Sequence, residues 1–172
     1  IDYLYSFMRM DKRTEQARIR IDDTLTENIR FASSSKLSDD EKIMRLKEIG
    51  EQSVDIKGVG LYTLGKHRKT LTDEQREEYK KLFKEYFLKS FSGRLVVYSD
   101  ANIAVLSEEV KNEKYTIVNS KLIGTTDRPE VKIDWRVYTK NPEKLLIRDL
   151  VIEGLSLART QKEEFNSIIE NN

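Results

Sequence analysis

Three side chains could do acid–base chemistry in this sequence: His67, the sole histidine, and the carboxylates Asp134 and Asp149. A hydrolase of the Ser-His-Asp kind needs a histidine to take the serine proton and a sharp turn to present that serine. His67 lies instead in the basic stretch "GKHRKTL", and no Gly-x-Ser-x-Gly elbow occurs. The carboxylates offer a second chemistry. Asp149 sits in "LLIRDLVI" and Asp134 beside Trp135, so either could be an acid of raised pKa in an apolar pocket, suited to an isomerase or dehydratase. Against that, Asp134 alternates onto the polar side of its strand and Asp149 follows Arg148 just before a turn. With no cysteine, a lone histidine and no Gly-rich phosphate loop, zinc clusters, thiol nucleophiles and nucleotide cradles have no residues to build them. No catalytic residue, metal ligand or cofactor is expected.

The charges exclude another class. Lys and Arg number 31 against 30 Asp and Glu, interleaved along the whole chain, so no electrostatic footprint for a nucleic acid stands out. The densest cationic run, "GKHRKTL", adjoins the acidic "TDEQREE" and reads as a solvated helix end and loop.

The elements that would position these groups follow from periodicity. Residues 1–14, "IDYLYSFMRMDKRT", read as an extra helical turn or an extension. Ala17, Ile21, Leu25, Ile29 and Ala32 recur at helical spacing. Ser38 with Glu41 and Thr72 with Gln75 are capping boxes that open two further helices. The second of these carries Tyr79, Leu82, Phe83, Tyr86, Phe87, Phe91, Leu95 and Tyr98 as one apolar stripe. Between the boxes, "SVDIKGVGLYTLGKH" reads as a broken helical segment, with Gly58 and Gly60 as candidate hinges. After Asp100 the period changes to two. Runs near 102–109, 114–123, 131–139 and 145–152, separated by short turn-rich segments, predict an antiparallel meander. Val131, Ile133, Trp135 and Val137 give the third strand one apolar face. Ser156 caps a closing helix with Ala158, Phe165, Ile168 and Ile169 inward.

The expected architecture is α+β: a curved four-stranded antiparallel sheet crossed on its apolar face by the long aromatic helix, with additional N-terminal helices and a C-terminal helix. One domain over 1–172 is expected, divided into 15–71 (helical) and 72–172 (long helix, sheet and closing helix). Such an aromatic stripe is either filled core or the wall of an apolar cavity, and the spacing alone fits both.

Taken in order, "YTLGKHRKTLTDEQREEYKKLFKEYFLKSFSGRL", "VKIDWRVY" and "IRDLVIEGLSLARTQKEEFNSII" resemble the MlaC, or toluene-tolerance auxiliary, family over about residues 50–170. The resemblance rests on Leu64 and Gly65, Thr72, Gln75 and Arg76, Leu82, Phe83 and Tyr86, and Arg94 and Leu95. It continues through Asp134, Trp135 and Arg136 to Asp149, Glu153, Gly154 and Ser156. Departures fall at Leu61, Leu145, Leu146 and Lys162, positions where the family often carries other side chains.

The resemblance implies a nuclear-transport-factor-like fold and a non-enzymatic carrier in the periplasm of a Gram-negative bacterium, exported by a signal peptide absent from this chain. Such a carrier binds glycerophospholipid acyl chains and shuttles the lipid between an outer-membrane lipoprotein–porin complex and an inner-membrane ABC transporter with its MCE-domain protein. A hopanoid or other terpenoid-lipid carrier of the same fold, and an isomerase using a pocket acid, are the competing readings. Face and spacing then place the lipid-binding residues at Tyr62, Leu82, Phe83, Tyr86, Phe87, Leu95, Val131, Ile133, Trp135, Val137, Val151 and Leu155. Glu153 and Gly154 would turn the chain from the last strand into the closing helix.

Overall fold

The computed structural model describes residues 2–23, 36–96 and 102–171. Helix α1 spans Asp2–Asp23, so residues 2–14 are helical and run without a break into the segment of Ala17 and Ile21. Leu25, Ile29 and Ala32 of the expected first stripe, Tyr98 of the aromatic one and the Leu95 side chain lie outside the described residues. Helices α2 (Asp39–Ser53), α3 (Ile56–Thr63) and α4 (Asp73–Leu95) follow, with a 3-10 turn at Gly65–Lys69 between the last two.

Both capping boxes form. Ser38 Oγ accepts from the Glu41 amide at 3.2 Å while Glu41 Oε2 accepts from the Ser38 amide at 2.8 Å. Thr72 and Gln75 repeat the exchange at 3.2 and 3.0 Å. Each pair satisfies two amides that a helix start leaves unpaired.

The strands are β1 (Ile103–Asn112), β2 (Tyr115–Leu122), β3 (Val131–Tyr138), β4 (Leu146–Ile152) and β5 (Leu155–Ser156), antiparallel in the order β1-β2-β3-β4-β5. The expected four-stranded sheet therefore gains a fifth, two-residue strand. Glu153 (φ 48°) and Gly154 (φ 81°) both have positive φ and join β4 to β5 in a two-residue hairpin of the kind whose twist matches its strands. Helix α5 (Leu157–Glu170) starts at once.

Directly opposed residues share a face. Val118 faces Trp135, which faces Leu150, and Ser120 faces Ile133, which faces Ile152. Val118, Trp135, Val137 and Ile147 pack with Ala17 and Ile21 of α1 and with Leu46, Ile49 and Phe83 in one core. The Trp135 indole N–H donates to Ser120 Oγ at 2.8 Å, and that hydroxyl donates to the Ile133 carbonyl at 2.8 Å, so the buried ring leaves no polar atom unpaired.

The layering corrects one expectation. The long helix α4 does not lie directly across the strands; its close backbone approaches are to α2 and α3, while α1 approaches β1 and β2, and α3 and α5 approach β4. Glycines allow this. A Cβ on Gly50 of α2 would stand 2.9 Å from Phe91 Cδ1, and one on Gly60 of α3 would stand 2.7 Å from Phe83 Cδ1. Gly60 is thus a contact point beneath an aromatic ring rather than a hinge, and Gly58 lies in the first turn of α3, its amide donating to the capping Asp55 Oδ1 at 3.0 Å.

A bulge between β3 and β4 leaves Arg148 as an extra residue. Its guanidinium donates to Asp55 Oδ2 at 2.7 Å and to the Tyr115 hydroxyl at 2.8 Å, and stacks 3.9 Å from the Tyr138 ring centre. Burial opposes the charge on Arg148, but the bonds to Tyr115 and Asp55 outweigh it and hold the guanidinium more firmly protonated than usual. This ties the sheet to the start of α3.

Candidate functional site

Helix α4 sorts its aromatics onto two faces. Tyr79, Phe83, Phe87 and Phe91, each four residues apart, stack as a ladder with centroid separations of 5.8, 6.1 and 5.7 Å. Phe83 is 4% exposed. Leu82 and Tyr86, one position back, face outward at 56% and 44%. Helix α5 lies along this outward side. Its Phe165 meets Phe83 edge-on at 6.3 Å and Tyr86 at 5.6 Å, and Tyr86 donates to Gln161 Oε1 at 2.9 Å.

Between these helices and the 3-10 turn lies an open cleft of about 540 Å³. Its floor is apolar: Leu64 and Leu71 flanking the turn, Tyr79 and Leu82 from α4, and Phe165, Ile168 and Ile169 from α5. His67, Thr70, Gln75 and Glu78 supply its polar rim. Ile168 and Ile169 remain 59% and 42% exposed there, and α5 has no buried residue at all.

The polar contacts around the cleft are few. Tyr79 Oη and Thr63 Oγ1 lie 2.7 Å apart, and Thr63 donates to the Gly60 carbonyl at 2.7 Å. Burial pushes the Tyr79 phenol pKa up, partly countered by the Thr63 bond. At the cleft's end Lys66 Nζ lies 2.5 Å from Glu170 Oε1, and its hydrogen bond and charge pull the Glu170 carboxyl below its usual range. His67 Nε2 is buried, 4.0 Å from the same carboxylate oxygen, and has no hydrogen-bond partner among the described residues.

The expected site residues divide into three groups. Phe83, Phe87, Ile133, Trp135 and Val137 come together in or against the core. Leu82 alone among the twelve lines the cleft, with Tyr86 beside it against Phe165. The remainder are scattered. Tyr62 is 44% exposed under the Lys162 ammonium, Leu155 is 59% exposed at the hairpin, and Val131 is half-buried opposite Leu122. Val151 is misplaced by the expectation: it opposes Asp134 and so lies on the other face of the sheet from Trp135. The three successive apolar residues Leu150, Val151 and Ile152 hide the alternation that would have revealed this.

Neither candidate carboxylate lines the cleft. Asp134 shares the outer face with Asn119, its Oδ2 3.4 Å from Lys132. Asp149 is fully engaged as a cap, Oδ1 accepting from the Leu150 and Ala158 amides at 2.9 and 3.0 Å and Oδ2 from the Ser156 hydroxyl at 2.5 Å. Ser156 Oγ in turn accepts from the Arg159 amide at 3.1 Å. The "DLVIEGLS" junction is thus a self-bracing corner between last strand and last helix. Among the described residues no cluster of His, Cys, Asp or Glu is placed to hold a metal, and no helix is long and apolar enough to cross a membrane.

Helices over an antiparallel sheet, with an apolar cleft at the helical end and neither carboxylate among its lining residues, define the molecule as an α+β protein. The chain belongs to the MlaC family, described as MlaC protein, whose match runs over residues 19–172. A solved structure with the same fold is the phospholipid-binding protein from Ralstonia solanacearum in complex with a phospholipid. It superposes with a TM-score of 0.73 at 19% identity, over 90% of this chain and 88% of that one. No curated protein matches the sequence.

Proposed function

We propose that this chain is a non-enzymatic lipid carrier that holds one glycerophospholipid by its acyl chains and ferries it through the periplasm. The observation that carries the reading is the cleft itself: Leu82, Ile168 and Ile169 are exposed together along one apolar cleft, beside aromatics that continue into the core. Family membership and the phospholipid in the Ralstonia structure support the choice of ligand. Each acyl methylene left in water costs about 0.8 kcal/mol, so two long chains need a protein wall along most of their length.

Tails enter beside Leu82 and displace Phe165 from Phe83, so that the cleft extends between α5 and the aromatic ladder. Tyr62, Tyr86, Phe83, Phe87, Ile133, Trp135 and Val137 then become lining in turn. In this reading the whole of 1–172 acts as one nuclear-transport-factor-like lipid-binding domain. Its partners are the outer-membrane lipoprotein–porin complex and the inner-membrane ABC transporter with its MCE-domain protein, and phospholipid is cargo rather than cofactor.

The test is native mass spectrometry of the purified protein with lipid extraction from the same sample, repeated for Leu82→Arg and Ile168→Arg. Both side chains are more than half exposed, so the variants keep the fold. Stoichiometric phospholipid in the parent and its loss in both variants is the expected result. A parent that neither retains lipid nor takes it up from vesicles overturns the reading, and a bound hopanoid would keep the fold and change the cargo.

A further inference from the structure

The two helices that wall the cleft are held in unlike ways. On α4 the Phe83 ring is 4% exposed and seated against α3 at Gly60, and Phe91 is seated against α2 at Gly50. Parting α4 from the body would open the core. On α5 no residue is buried, and its single aromatic side chain, Phe165, is what it lays against the ladder. The ties that hold α5 beyond its first turn are mostly polar. Tyr86 donates to Gln161 at 2.9 Å, Asn166 donates to the Thr63 carbonyl at 3.1 Å, and the Lys162 ammonium stands 4.9 Å from the Tyr62 ring centre. At the tip Lys66 pairs with Glu170. Water can take the place of each such bond at small net cost, because the intramolecular bond itself replaced one to water. The root is different: Asp149 holds the Ala158 amide and the Ser156 hydroxyl, and Ser156 is paired to Val151 in the sheet.

Resting on the carrier reading, we propose that α5 is the lid of the cleft, pivoting at its Asp149 root to admit and release a lipid, and that the Lys66–Glu170 pair is the latch at its tip. The pair joins the last turn of α5 to the 3-10 turn, which links α3 to α4 and so belongs to the fixed side. Its side chains are 72% and 51% exposed, open to competition from water and salt, as suits a contact that breaks and re-forms in every cycle of loading. Neither residue lines the cleft, so the latch can be altered without touching the surface that meets the tails.

The chain holds no cysteine, so Lys66→Cys with Glu170→Cys supplies a single pair of thiols. The full chain carrying both is prepared in two forms, one with each thiol capped by N-ethylmaleimide and one with the two bridged by a short bis-maleimide. Uptake of a fluorescent phosphatidylglycerol from vesicles of phosphatidylglycerol and phosphatidylethanolamine is timed for both forms and for the parent, and the urea midpoint from Trp135 fluorescence checks the fold. The capped form, with the latch gone, should load about two- to fivefold faster than the parent, the scale of one exposed ion pair. The bridged form, with the tip fixed, should load at least about tenfold slower than the capped one. Opposite effects from the same two substitutions are what a moving lid gives and a purely structural contact does not. Glu170→Gln, which keeps the shape of the side chain, should speed loading like the capped form and serves as the test if the cysteine pair loses its fold. Bridged and capped forms that load at one rate, or a latch-free protein no faster than the parent, overturn the proposal and leave the carrier reading standing. No uptake by any form, the parent included, removes the carrier reading, and this inference falls with it.

Discussion

Replacing Gly60 by alanine should destabilise the protein even though glycine is the poorer helix former. The added Cβ would stand 2.7 Å from Phe83 Cδ1, 3.1 Å from Cγ and 3.2 Å from Cε1. Carbon atoms in contact prefer about 3.5–4.0 Å, so the ring must retreat by several tenths of an ångström or more. It has little room: Phe83 is 4% exposed, stacked on Tyr79 and Phe87 and met edge-on by Phe165. Overpacking of this kind costs about 1–3 kcal/mol, and the helix-propensity gain of Ala over Gly returns about 1 kcal/mol. The net loss is up to about 2 kcal/mol, or up to roughly 4–8 °C in Tm for a chain of this size.

Gly93 of α4 is the control, because a Cβ there meets nothing within 4 Å. Gly93→Ala should stabilise by about 0.5–1 kcal/mol. Urea unfolding followed by the fluorescence of Trp135, the sole tryptophan and 5% exposed, reads both variants on one probe. Adding Phe83→Leu should remove most of the Gly60→Ala penalty, a coupling of about 1 kcal/mol. Equal stabilisation by the two alanines, or no coupling to Phe83, would refute the idea that the ladder is seated on Gly60.

Asp149→Ala removes three hydrogen bonds to a charged group and should cost about 2–3 kcal/mol, with hydrogen exchange speeding up first at the amides of 157–160. Gly154→Ala, at φ 81° with open space around the new Cβ, should cost about 1–2 kcal/mol by backbone strain alone. The Tyr79 phenol titrates higher in the folded state than in the unfolded one, so its share of stability is intact below about pH 10 and is lost as pH rises further. Tyr79→Phe should flatten that alkaline fall in a pH series of urea midpoints. Glu170 is shifted the opposite way by Lys66: its contribution holds above the ordinary glutamate range and fades as pH drops through the lowered value. The protection factors of the last-turn amides of α5, taken against the intrinsic exchange rate at each pH, should accordingly fall in acid, and Glu170→Gln should reproduce the fall at neutral pH.

Local chemistry was the most legible part of the sequence. Ser38 with Glu41, Thr72 with Gln75, and Ser156 each announce a helix start by hydrogen bonds that span three residues, and all three form. The alternation of Val131, Ile133, Trp135 and Val137 likewise orients β3 without outside help. What depends on distant partners was harder to read. The stripe of α4 is as broad in sequence as a buried face, yet α2 and α3 cover only its Phe83 and Phe91 side and leave Leu82 and Tyr86 to α5. Phe165, Ile168 and Ile169 were visible as an inward stripe of the closing helix, and Tyr79 as part of the aromatic one. That they meet across a cleft with Leu64 and Leu71 is a matter of how α5 folds back. The extra residue at Arg148 is also silent in sequence, because its reason is Asp55, 93 positions earlier.

The corner at Asp149 has a mechanical consequence. Helix α5 is clamped at its first turn by Asp149 and Ser156, behind a two-residue hairpin that leaves almost no slack. Farther along it is held by Tyr86 on Gln161, Asn166 on the Thr63 carbonyl and, at the tip, Lys66 on Glu170. It is thus tied at its root, along α3 and at its tip, so that any parting of α5 from the aromatic ladder has to release Gln161, Asn166 and Glu170 before it strains the corner at Asp149.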